Sequence, residues 1–144
     1  MQCDFRQHKW SDEMDQNPLV SELIEVGARF LKEFDKSYPV AVAFWLKSED
    51  ESRWHLHIAS EKNRDGNARD AYGAVLRIAA QMKDVSFDPF YVRLCGMDES
   101  IVQFALDYRR RYPGRMAAVS NVPSFFGVEV EGMYLYPPAK TVAA

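Results

Sequence analysis

A chain of 144 residues, 47% hydrophobic and 13% aromatic, has the size and composition of one ordinary globular domain, which excludes a disordered protein and any need for metal or disulfide staples. A net charge of −3, from 18 basic and 21 acidic residues, offers no long-range attraction for nucleic acid or acidic lipid. No stretch approaches the roughly 20 apolar residues that span a bilayer, and MQCDFRQHKWSDEMDQ lacks a signal-peptide core, so the expectation is a soluble, cytoplasmic protein without a membrane partner.

Residues 1–16 read as a loose polar leader, 17–137 as one domain and 138–144 as a tail. Asn17-Pro18 supplies an N-cap and a first helical residue. Val20, Leu23, Ile24, Gly27, Phe30, Leu31 and Phe34 then recur at helical spacing on one face. Gly27 allows close packing there, and Tyr38-Pro39 ends the helix. VAVAFWLK and RWHLHIAS, joined by the turn SEDES, read as an antiparallel hairpin. Alternation groups Val42, Phe44 and Leu46 with Trp54, Leu56 and Ile58 on a core side. Ala41, Ala43 and Trp45 then share the other side with Arg53, His55, His57 and Ala59.

After EKNRDG, the residues Ala68, Ala71, Tyr72, Val75, Ile78, Ala79 and Met82 trace a second amphipathic helix, in which Gly73 marks a close contact. Pro89 to Cys95 reads as a strand with Phe90, Val92 and Leu94 facing together. Asp98 caps a third helix that runs to about Arg111 and stops at Tyr112-Pro113-Gly114. MAAVSNVPSFF holds a short strand or a loop that tucks in Phe125 and Phe126. In GVEVEGMYLYP, Val128 and Val130 oppose Glu129 and Glu131 before Gly132 shifts the phase as a bulge or tight turn. The sum is an α+β domain of order α-β-β-α-β-α-(β)-β-β, a largely antiparallel sheet with about three helices packed on it.

The hairpin carries a resemblance. AFWLK, then W-x-L-x-IAS, then D-G and a helix containing Ala71-Tyr72 resemble a family of small bacterial α+β proteins built on a domain of unknown function. The match runs from Leu19 to Tyr72. It implies a compact bacterial α+β domain and transfers no catalytic residue.

His55 and His57 are the sharpest chemical feature, because an H-x-H pair on a strand turns both imidazoles to one face and supplies two ligands to zinc or iron. Two ligands are not a site; a third would have to be Asp65, Asp70, Glu129 or Glu131, and half-exposed sheet histidines are the plainer reading. The loop NRDGNAR joins a strand to a helix N-terminus and brings Arg64 and Arg69, yet it matches no phosphate-binding glycine motif, and Asp65 and Asp70 repel an anion. Arg109, Arg110, Arg111 and Arg115 form the one basic run, which complements a helix C-terminus and offers contacts to an acidic partner beside Tyr108 and Tyr112.

Ser60 follows His57 by three residues, the wrong parity for a nucleophile and base on one strand, and Cys95 reads as a buried small residue. Trp45, Tyr91, Tyr134 and Tyr136 with the histidines would make the kind of face that protein interfaces favour, unless a helix of the same chain covers it. The reading is therefore a protein-interaction or small-ligand-binding module without a cofactor, with self-association as one form. Its binding candidates are Trp45, His55, His57, Arg69, Arg109, Arg110 and Arg111. The alternative is a hydrolase or nucleotide-handling enzyme with its site at the His55/His57 face.

Overall fold

A computed structural model of the chain describes residues 21–48, 53–62, 68–112, 117–119 and 130–137, without the side chains of 48, 117–119, 130 and 131. The leader and its Asn17-Pro18 cap, the SEDES turn apart from Ser48, Asn63 to Asn67, Arg115, Phe125, Phe126, Val128, Glu129 and the tail 138–144 lie outside the described residues. The element order is α1 (Ser21–Ser37), β1 (Val42–Ser48), β2 (His55–Ala59), α2 (Ala68–Met82), a 3-10 turn (Pro89–Tyr91), β3 (Val92–Cys95), α3 (Ser100–Arg111), β4 (Ala117–Val119) and β5 (Val130–Leu135). This is the expected α+β order.

The five strands form one mixed sheet, ordered β3-β2-β1-β5-β4. The β1–β2, β1–β5 and β4–β5 pairs are antiparallel. Among the described residues only β2 and β3 run parallel, because the helix α2 between them carries the chain back to the starting end of the sheet. Of the bulge or tight turn expected at Gly132, the bulge is the one found: Lys47 pairs with Gly132 and Ser48 with Val130, so β5 holds Glu131 as an extra residue against β1.

Helices cover both faces. On one, Val26, Phe30 and Phe34 of α1 and Ala74, Val75 and Ile78 of α2 bury Ala43, Trp45, Leu56 and Ile58. On the other, Ile101, Val102 and Ala105 of α3 bury Val42, Phe44, Ala59, Cys95, Met133 and Leu135. Gly27 is where α1 meets the sheet most closely: a Cβ there would stand 2.5 Å from the Tyr136 hydroxyl and 3.1 Å from the Trp45 ring.

The hairpin register corrects the expected faces. Leu46 pairs with His55, Trp45 with Leu56 and Phe44 with His57, and directly opposed residues of an antiparallel pair share a face. Val42, Phe44 and Leu46 therefore lie with the histidines, while Trp45 lies with Leu56 and Ile58. Both faces of β1 are buried, so the alternation of apolar residues carries no information on which phase of β1 meets which phase of β2.

Three smaller expectations are also corrected. Pro89–Tyr91 form a 3-10 turn rather than strand, because the Asp88 carboxylate accepts the Phe90 N–H at 2.9 Å, and Phe90 is 81% exposed instead of facing inward with Val92 and Leu94. The residue capping α3 is Glu99, not Asp98, and its carboxylate turns back to accept the Gly96 N–H at 2.9 Å. Gly73 has open space around it, with nothing within 4 Å of a built Cβ.

Candidate functional site

The parallel β2–β3 pair places His57 opposite Arg93 and Ala59 opposite Cys95. The face that carries the histidines thus also carries alternate residues of β3. Their side chains contact one another along a diagonal. Arg93 Nη2 lies 3.3 Å from His55 Nε2, and Cys95 Sγ lies 3.5 Å from His57 Nδ1. One step earlier, the Arg53 guanidinium sits 5.1 Å above the Tyr91 ring, whose face and edge meet His55 at 5.1 Å and 73°. Arg93 and Cys95 each contact the histidine two residues before their own partner on β2.

Burial divides this row. Cys95 lies in the core cluster under α3, and His55 is buried at 6% exposure. His57 and Tyr91 are half-buried, and Arg53 and Arg93 are exposed. His57 stacks flat on Phe44, with ring centroids 5.2 Å apart and planes 5° apart. A corner of the sheet results, with two exposed guanidiniums over a floor of two imidazoles and a phenol.

The electrostatics keep this corner chemically quiet. Burial first, then the Arg93 and His55 charges, push the His57 imidazole down to about 3, so it is neutral at neutral pH. Burial and the Glu99 carboxylate push the Cys95 thiol up to about 12, against a smaller opposing effect of Arg93. A thiolate–imidazolium pair, the form in which cysteine acts as a nucleophile, is disfavoured from both sides. The thiol keeps its proton and donates to the Arg93 carbonyl oxygen at 3.9 Å, with His57 Nδ1 3.5 Å from the sulfur.

Comparison of the chain with protein-family models, curated proteins and solved structures finds no match. The site stands on its geometry.

The other candidates go to different places. Trp45 is 3% exposed on the opposite face, where its Nε1–H donates to Tyr136 Oη at 2.8 Å and that hydroxyl donates to the Ile24 carbonyl at 2.7 Å. It is a core residue under α1, as is Tyr136, and Tyr134 packs against the same cluster. Of the four aromatics only Tyr91 joins the histidines. Arg69 is exposed on the first turn of α2, a helix that packs on the face away from the histidines.

Arg110 and Arg111 both pair with Asp107, at 3.3 and 3.2 Å, and Arg109 is half-buried, with its guanidinium held below its usual range by that burial. Ser60 is buried and its hydroxyl accepts the Lys62 N–H at 3.2 Å, which makes it a turn residue. Among the described residues no group of three or more His, Cys, Asp or Glu side chains is placed to hold a metal ion. No helix among them is long and apolar enough to cross a membrane.

Arg93 and the contact between Cys95 and His57 are what sequence reasoning missed. The signal was present in YVRLC, where Tyr91, Arg93 and Cys95 alternate with the apolar Val92 and Leu94. Only the parallel pairing with β2 shows that this polar phase meets the histidines.

Proposed function

We propose that the protein is a binding module, cytoplasmic and of a small bacterial α+β family, that meets a protein partner, a second copy of itself or a small ligand at the Arg53–Tyr91–His55–Arg93 corner. The observation that carries this reading is the unbroken contact row from an exposed arginine through two rings to a second exposed arginine. Arginine and tyrosine are the residues in which binding energy concentrates, because planar, amphipathic groups bury much area for little conformational entropy. A protonated thiol beside a neutral imidazole supports binding over nucleophilic chemistry at the same face.

The test is a fragment screen by NMR on the labelled protein, with light scattering over a range of concentrations. Fragment contacts, or a concentration-dependent dimer contact, mapping to Arg53, His55, Tyr91 and Arg93 and lost in Tyr91→Ala are expected. Binding that maps elsewhere would defeat the reading, and so would hydrolysis of an ester or phosphate substrate abolished by His57→Gln.

A further inference from the structure

We infer that the β3 edge of the sheet is held closed against strand addition by acceptors of the chain itself, with the Tyr72 hydroxyl as the central latch and the Glu99 carboxylate as a second. Among the described residues β3 ends the sheet, with β2 as its one neighbour. Backbone N–H groups along a strand point alternately to its two sides, so an edge strand turns every second donor outward as a template for another chain. Along this edge those donors belong to Val92, Leu94 and Gly96, and each is taken. Val92 donates to the Pro89 carbonyl, Leu94 to Tyr72 Oη at 3.0 Å and Gly96 to Glu99 Oε2 at 2.9 Å.

Three successive donors are thus met by three different devices: a 3-10 turn, a side chain of α2 and the residue that caps α3. The closure matters because the rim beside it is apolar. Phe90 is 81% exposed and Leu76 50%; Leu76 lies one helical turn after Tyr72 on the same side of α2, and α2 packs beside the turn that carries Phe90. Such a flank would add apolar burial to any strand that paired there, a second copy of β3 included. The two side-chain latches can be removed without altering the strand. A phenylalanine at position 72 keeps the ring and loses only the acceptor, and the Glu99 side chain makes no capping bond to α3.

The test compares the full chain with Tyr72→Phe, Glu99→Ala and the double variant by backbone amide exchange and by light scattering up to about 1 mM, where a few hydrogen bonds and two apolar side chains give measurable association. Exchange at Leu94 should rise about fivefold in Tyr72→Phe, and at Gly96 by a similar factor in Glu99→Ala, as loss of one hydrogen bond predicts. The double variant should gain mass with concentration, with amide shifts centred on Val92, Leu94 and Gly96, while the parent shows no association through these amides. Unchanged exchange at both amides overturns the latches. Faster exchange with a mass that stays equal to the parent's overturns the closure, since the donors would then be uncovered without consequence. Tyr72→Phe alone supplies both readouts if the double variant does not keep its native spectrum. A parent that already pairs through the Leu94 amide also defeats the inference.

Discussion

Arg93 Nη2 and His55 Nε2 stand 3.3 Å apart across two parallel strands, and because a guanidinium only donates, the imidazole accepts there and holds its proton on Nδ1. The Cys95 sulfur stands 3.5 Å from His57 Nδ1 across the same pair of strands. Two histidines separated by one residue are thus each met by a side chain of the next strand.

Long-range 15N–1H spectra at neutral pH should show His55 as the Nδ1–H tautomer. Arg93→Ala should let His55 relax toward the mixture of tautomers found in solution, while His57 keeps its pattern.

Stability should fall on acidification because of His57. Its imidazole is at about 3 in the fold against an ordinary 6.5, so between those values the unfolded chain binds the extra proton and unfolding is favoured as pH falls. The contribution is complete above about pH 6.5 and is lost toward pH 3, with a limiting slope of about 1.4 kcal/mol per pH unit. Urea denaturation of His57→Gln beside the parent checks this: the difference between them should be flat above pH 7 and narrow steadily below pH 6.

Cys95 should resist alkylation. With the thiol pushed up to about 12 and the side chain in the α3 core, reaction at pH 8 needs local opening. In a Cys3→Ser background, iodoacetamide labelling should follow the unfolding equilibrium, rising with urea along the denaturation curve. Fast labelling of the native protein would contradict the packing.

Two glycines in helices should respond with opposite signs to the same change. Gly73→Ala places a methyl group in open space and should stabilise by about 0.5–1 kcal/mol through helix propensity. Gly27→Ala drives a methyl group to 2.5 Å from the Tyr136 hydroxyl and should destabilise by about 1–3 kcal/mol despite the same gain in propensity. Thermal and urea unfolding of the pair are the measurements.

Tyr136→Phe should cost about 1–3 kcal/mol, because it leaves the buried Trp45 Nε1–H without its 2.8 Å partner. Trp45 fluorescence should shift at the same time. An unchanged corner on the other face, read from the His55 and His57 signals, would show that the two cores are energetically separate.

The sequence by itself determined the element order and most of the inward face of α1 and α2, where Phe30, Phe34, Ala71, Val75 and Ile78 are buried as their spacing predicts while Ala68 and Tyr72 are exposed; no such face was read for α3. It determined the β1–β2 hairpin, a break of phase at Gly132 and close packing at Gly27, although the partners that Gly27 meets, Trp45 and Tyr136, lie far off in the chain. What only the tertiary structure decided was which side of the sheet each polar group occupies. Both faces of β1 are apolar, so a shift of one residue between β1 and β2 leaves the pattern of burial nearly unchanged in the sequence while moving Trp45 from the histidine face to the α1 face. The contact of Arg93 with His55 depends on a parallel pairing made across the whole of α2, and no local pattern records a partner 38 residues away.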